Sequence, residues 1–97
     1  MTLHRIERIE SRPGYHLLVH WTSGEESMID FSPDISTFPV WAPLRDEGLF
    51  AKVRILDEGM AIEWPDPPQR PGWPCVDVDA DGLWQMAERQ SAVAAAE

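Results

Sequence analysis

The segment Tyr15 to Phe31, YHLLVHWTSGEESMIDF, carries the register of a β-hairpin in its own residues. Apolar side chains alternate along Tyr15, Leu17, Val19 and Trp21, and again along Ile29 and Phe31, with Thr22-Ser23-Gly24 between them. A slip of one residue would turn every side chain to the opposite face of the sheet, so burial selects one register. A three-residue loop at Thr22-Ser23-Gly24 sets Leu17 opposite Ile29 and Tyr15 opposite Phe31, with Gly24 supplying the left-handed conformation such loops need. A two-residue loop at Ser23-Gly24 would set Leu17 opposite Asp30 and Val19 opposite Met28, mixing a carboxylate into the buried face. The three-residue loop is therefore expected.

A second hairpin follows from Lys52–Leu56 and Ala61–Trp64, separated by Asp57-Glu58-Gly59. A tight turn on Glu58-Gly59 places Ile55 opposite Ile62 and Val53 opposite Trp64, whereas a three-residue loop would set Arg54 against Ile62. The tight turn is the apolar match. Leu3–Ile9 reads as a weaker strand whose alternation loses phase at Ile9, and Pro13-Gly14 ends it. Ser32-Pro33 closes the first hairpin. Phe38, Trp41, Leu44, Leu49 and Phe50 form an apolar connector interrupted by Pro39 and Pro43, which predicts a turn or a short helix. The proline-rich run 65–74 is an extended loop, because proline donates no backbone hydrogen bond and locks φ. From about Ala80 the spacing of Leu83, Trp84, Met86, Ala87, Val93 and Ala94 predicts a helix, with 91–97 a frayed tail.

These elements predict an α+β fold: an antiparallel sheet of four to five strands, built from two hairpins, with a C-terminal helix packed on one face. At 97 residues the chain is read as a single domain, 1–97, which buries roughly two thirds of its unfolded surface. Trp64 continues the face of Ile62 and is expected in the core; Trp73, inside the proline-rich loop, is expected to be more exposed. The chain has no apolar run long enough to span a bilayer and no signal-peptide pattern, so a cytoplasmic location is expected. Cys75 is the lone cysteine, with no neighbouring base to activate it, and is read as a packing residue.

Eight basic against 17 acidic residues leave a formal net charge of −9. Affinity for nucleic acid and anionic lipid rests on Lys and Arg neutralising phosphate, so direct nucleic-acid binding and membrane binding are set aside. The partners expected instead are a basic protein or a second copy joined through a sheet edge.

Chemical signals are sparse. His16 and His20 share a strand face but stand roughly 13 Å apart, too far to ligate one metal alone, and His4 joins them only if cross-strand pairing brings it there. None of the serines sits in a Gly-x-Ser-x-Gly elbow, and the glycines lie singly, so neither nucleophilic catalysis nor a phosphate loop is indicated. Asp77-Val78-Asp79-Ala80-Asp81-Gly82, with Glu88 at the twelfth position, matches the spacing of an EF-hand calcium loop. Pro71-Gly72-Trp73-Pro74 cannot form the incoming helix of an EF-hand. Asp79 or a neighbour is therefore read as the cap of the last helix, with Asp77, Asp79, Asp81 and Glu88 the metal-binding alternative. No catalytic residue and no cofactor is assigned.

The order of these features resembles one family of small bacterial proteins, the domain of unknown function 2442. The resemblance rests on the Tyr15-x-Leu17-x-Val19-x-Trp21 strand, the Ser23-Gly24 turn, Ile29-Asp30-Phe31, Leu44 and Phe50, Val53-x-Ile55 and Ile62-x-Trp64, and covers Leu3 to about Met86. The chain departs from the pattern in having Ser-Gly for the usual Asp-Gly turn and a long proline-rich loop. The resemblance implies that some relatives carry a helix-turn-helix domain after this one. Others look like standalone proteins encoded beside a second small protein, as in toxin–antitoxin pairs. With the sequence ending at Glu97, any regulation is expected to run through contact with a protein. The resulting expectation is a non-enzymatic protein-interaction module, the acidic member of such a pair; the alternative is a metal-responsive protein using residues 77–88.

Overall fold

A computed structural model of the chain describes residues 4–64 and 76–96. The expected hairpin is present as β2 (His16–Trp21) and β3 (Glu26–Asp30). Leu17 lies opposite Ile29, and the Phe31 N–H donates to the Tyr15 carbonyl at 2.9 Å. Thr22-Ser23-Gly24 is the loop: the Trp21 N–H donates to the Glu25 carbonyl and the Gly24 N–H to the Trp21 carbonyl, each at 2.9 Å. Gly24 stands at φ +95°, a conformation strained for a β-branched residue.

On the other side of β2 runs β1 (Ile6–Arg12), antiparallel, completing a sheet in the order β1-β2-β3. It continues beyond Ile9 to Arg12, directly before Pro13. Its register shifts between Ile6 and Arg8. That bulge accounts for the lost alternation, since the extra residue lets both Ile6 and Ile9 pack on the core.

A second antiparallel sheet contains β4 (Arg54–Leu56), β5 (Ala61–Trp64) and β6 (Val76–Asp79), in that order. Ile55 faces Ile62 as expected. The connecting turn is tight: the Met60 N–H donates to the Asp57 carbonyl at 3.1 Å, with Glu58 at φ 55° and Gly59 at φ 94°. Positive φ at the two central positions matches the right-handed twist of the flanking strands, and Asp57 before them also stands at φ 50°. A Cβ on Gly59 would lie 2.5 Å from the Ile6 carbonyl oxygen, so this turn is wedged against β1 and joins the two sheets. The fold is α+β, as expected, with six strands among the described residues divided between two sheets. The strand missing from the sequence reading is β6, whose four residues are too few to distinguish strand from loop by period.

The connector between the sheets is helical in three short pieces: α1 (Ser32–Thr37), a 3₁₀ segment over Pro39–Arg45, and α2 (Glu47–Phe50). Asp46 caps α2, its Oδ1 accepting from the N–H groups of Gly48 and Leu49 at 2.8 and 3.3 Å. The connector delivers Ile35, Leu44, Leu49 and Phe50 to the core. There Trp64, 1% exposed, donates its indole N–H to the Phe50 carbonyl at 2.8 Å. Its ring centroid lies 5.5 Å from that of Phe50 and 5.7 Å from that of Phe31. Trp64 is thus the anchor its phase predicted; Trp73, Cys75 and the proline-rich run 65–74 lie outside the described residues.

The last element, α3 (Ala80–Ala96), starts where the spacing places it. Asp79 Oδ1 accepts from the Gly82 N–H at 2.7 Å, satisfying one of the orphan donors of the first turn. Ala80, Leu83 and Met86 are buried, and the backbone is helical through Ala96, past Ser91 where fraying was expected. Among the described residues no helix is long and apolar enough to cross a membrane.

Candidate interaction surface

The register of the first sheet orders its outer face into three rows. Arg8, His20 and Glu26 lie side by side, then Glu10, Leu18 and Met28, then Arg12, His16 and Asp30. The inner rows carry Leu17 with Ile29 and Val19 with Ser27, and the aliphatic members are fully buried. The outer face therefore has an apolar centre, Leu18 and Met28, with charged and imidazole side chains at both ends. Met28 is 50% exposed.

The polar side chains form two clusters, one around Glu10 and one around Asp30. Glu10 Oε2 lies 2.7 Å from His20 Nε2 and 3.5 Å from Arg8, and Glu10 Oε1 lies 3.2 Å from Arg12. The hydrogen bond to His20, helped by the neighbouring Arg12 and Arg8 guanidinium groups and opposed by partial desolvation, holds the Glu10 carboxyl below the usual carboxylate range. At the other end His16 Nε2 stands 3.9 Å from Asp30 Oδ2. The Ser32 hydroxyl donates to Asp30 Oδ1 at 2.7 Å and the Ser32 N–H to the same oxygen at 2.8 Å. Ser32, Asp30 and His16 are the members of a hydrolase triad in the wrong order. The carboxylate stands between hydroxyl and imidazole, so no imidazole faces the Ser32 oxygen, and Asp30 closes a side-chain turn just ahead of α1, whose N-cap position is Phe31.

Beside this face, α3 runs along the outer edge of β3. The Gln90 side-chain amide accepts from the Asp30 N–H and donates to the Asp30 carbonyl, both at 2.9 Å. One glutamine thereby pairs the edge strand as a neighbouring backbone would. A groove of about 470 Å³ lies between them, lined by His16, Glu26, Ser27, Met28, Asp30, Ala87, Gln90 and Ser91. No sequence signal pointed to Gln90, because its partner lies 60 positions away.

The other candidates are dispersed. His4 does not join His16 and His20; its ring stacks on Trp84 with centroids 3.9 Å apart and planes 9° from parallel. Asp77 and Asp79 belong to β6, opposite Glu63 and Ala61, Asp79 is engaged by Gly82, and Asp81 and Glu88 lie on α3. Among the described residues no three His, Cys, Asp or Glu side chains are grouped as a metal ion requires.

Two three-stranded antiparallel sheets, closed by an aromatic connector and a C-terminal helix, define a small α+β domain among the described residues. The chain belongs to the family described as protein of unknown function (DUF2442), whose model matches residues 6–88. No curated protein matches it. It is similar to the crystal structure of a "putative DNA binding protein" from Nitrosomonas europaea, with a TM-score of 0.71 and 26% identity. That likeness covers 92% of this chain and 52% of the other, so the chain spans about half the length of its structural relative.

The expected partners need correction. Nucleic acid was set aside on net charge in favour of a basic protein or a second copy through a sheet edge. A structural relative named for DNA binding contradicts that assignment. Net charge is an average over the molecule and does not report the local field on one surface, so it was too coarse an argument for excluding nucleic acid. The edge pairing also loses its basis at Asp30, where Gln90 already takes both backbone groups.

Proposed function

We propose that the chain is a non-enzymatic interaction domain that docks another protein in a system handling nucleic acid. The observation that supports this best is the outer face of the first sheet, where half-exposed Met28 and Leu18 form an apolar centre between two charged ends. Protein interfaces combine such a centre, desolvated on docking, with a polar rim that sets orientation. The likeness to half of a longer protein named for DNA binding supports the association with nucleic acid. The finer reading, one member of a pair of small proteins encoded side by side, follows from the family resemblance and names the neighbouring gene's product as the first partner to test.

The test is co-expression of the full chain with that product, followed by affinity capture of wild type and Met28→Glu. Wild type is expected to retain the product at fixed stoichiometry, and Met28→Glu to lose it with an unchanged melting temperature. Equal retention by both would remove the face from the reading. A salt-dependent mobility shift of duplex DNA by the isolated chain would replace the reading with direct nucleic-acid recognition.

A further inference from the structure

We propose that the outer face of the first sheet stacks on the same face of a second copy of the chain, with β1 of each copy over β3 of the other. This rests on the reading of that face as a docking surface and names its occupant when the chain is alone. Stacking of faces makes no use of the strand edges, so the bonds from Gln90 to Asp30 stay in place. The face is polarised from one side to the other. Its β1 column holds Arg8, Glu10 and Arg12, two guanidinium groups against one carboxylate. Its β2 column holds His20, Leu18 and His16, and its β3 column Glu26, Met28 and Asp30, two carboxylates with no cation.

A two-fold axis brings identical patches together, so a face closes on its own copy only where it is its own complement under that rotation. Rotation about an axis across the strands sets β1 over β1, with Arg8 against Arg12, and β3 over β3, with Glu26 against Asp30. Both meetings are between like charges. Rotation about an axis along β2 sets Arg8 over Glu26 of the copy and Arg12 over its Asp30, each twice, with Leu18 on the axis. Charge therefore selects the second rotation, which also leaves the strands of the two sheets aligned, as stacked sheets pack. Glu10 comes over Met28 of the copy already neutralised within its own chain, 3.2 Å from Arg12, 3.5 Å from Arg8 and hydrogen-bonded to His20.

Shape agrees with charge. The groove of about 470 Å³ between β3 and α3, lined among others by Glu26, Met28 and Asp30, lies under β1 of the copy and gives its arginine side chains room to reach the two carboxylates. Half-exposed Met28 and Leu18 lose water at the centre, and the ion pairs form the rim. The patch is small, roughly 10 Å across the three strands and 13 Å along them, well short of the roughly 800 Å² per partner of a stable interface. The dimer is therefore weak and reversible, and a second copy and another protein compete for the face.

The experiment is sedimentation equilibrium of the full chain up to about 1 mM, at about pH 8, above the ordinary imidazole range. It compares wild type, Arg8→Glu, Glu26→Arg and an equimolar mixture of the two variants. The Arg8 and Glu26 side chains are 67% and 61% exposed, so neither change reaches the core. Wild type is expected to dimerise reversibly, and each variant alone, which sets like charges over each other twice, to associate at least about tenfold more weakly. The mixture is expected to regain the wild-type constant, since each variant then meets its opposite. A monomeric wild type, single variants that dimerise as well as wild type, or a mixture no tighter than its components would each overturn the stacked dimer. Capture of the neighbouring gene's product by a monomeric wild type would keep the docking reading and overturn this one, whereas a dimer that captures nothing would leave the second copy as the occupant of the face.

Discussion

At the residue scale, single side chains carry the turns, the core and the charge network. Gly24 is at φ +95° with open space around it, so Gly24→Val meets only backbone strain. It should lower stability by about 1 kcal/mol or more, read from a denaturation midpoint; an unchanged midpoint would mean a differently built loop. Gly59 combines φ +94° with the Ile6 carbonyl 2.5 Å from any added Cβ. Gly59→Ala should therefore cost more than Gly24→Ala, on the order of 2–3 kcal/mol. Trp64→Ala removes the ring on which Phe31, Phe50 and Trp41 converge, and should cost about 3–5 kcal/mol, enough to unfold a domain of this size. Glu10, whose carboxyl is held below its ordinary range, contributes stability that is full above the unfolded carboxylate value of about 4.3 and is lost as pH falls through the folded one. The melting temperatures of wild type and Glu10→Gln should therefore converge as the solution is acidified below that value. A constant gap would deny Glu10 this role.

At the scale of elements, the attachment of α3 to β3 is the least expected contact and the easiest to break. Gln90 satisfies both backbone groups of Asp30, and an unpaired, partly buried amide or carbonyl costs on the order of 1–3 kcal/mol. Gln90→Ala is predicted to destabilise by about 1–2 kcal/mol and to speed hydrogen exchange at Asp30 while the β2–β3 amides stay protected. Exchange rising equally along β3 would mean that the helix supports the whole strand. In the second sheet, Arg54 and Glu63 face each other across β4 and β5, with both Glu63 oxygens near Arg54 Nη2 at 3.1 and 3.2 Å. Glu63 is buried at 7% exposure. Removing Arg54 leaves a poorly hydrated carboxylate, whereas Glu63→Gln leaves an amide that can be solvated by its neighbours at lower cost. Arg54→Ala is thus the more damaging of the two.

At the scale of the whole molecule, the two sheets meet through the Gly59 turn, the connector and the aromatic cluster, and acidity acts as a diffuse field. A calcium site over residues 77–88 would need Asp77, Asp79, Asp81 and Glu88 to converge. Asp77 and Asp79 extend along a strand, while Asp81 and Glu88 stand seven positions apart on a helix, about 10 Å along its axis. Calorimetric titration of the full chain with calcium is expected to show only weak, salt-screened attraction to the nine excess negative charges. One saturable micromolar site abolished by Glu88→Gln would make metal sensing the leading function.

Local pattern alone determined the Leu17–Ile29 and Ile55–Ile62 registers, the three-residue and two-residue turns, the start of α3 and the burial of Trp64. Each of these follows from alternation and turn chemistry within a few residues, because a slipped register exposes a whole apolar face. Only the tertiary structure decided the division into two sheets, the addition of β6, the seat of His4 on Trp84 and the bond from Gln90 to Asp30. Those depend on which surfaces meet across 60 positions of chain, and a four-residue strand or a lone glutamine carries no periodic signal of its partner. The outer face lies between the two cases: alternation placed His16 and His20 together on one side of β2, but the Glu10 carboxylate that holds His20 comes from a strand whose pairing only the folded sheet sets.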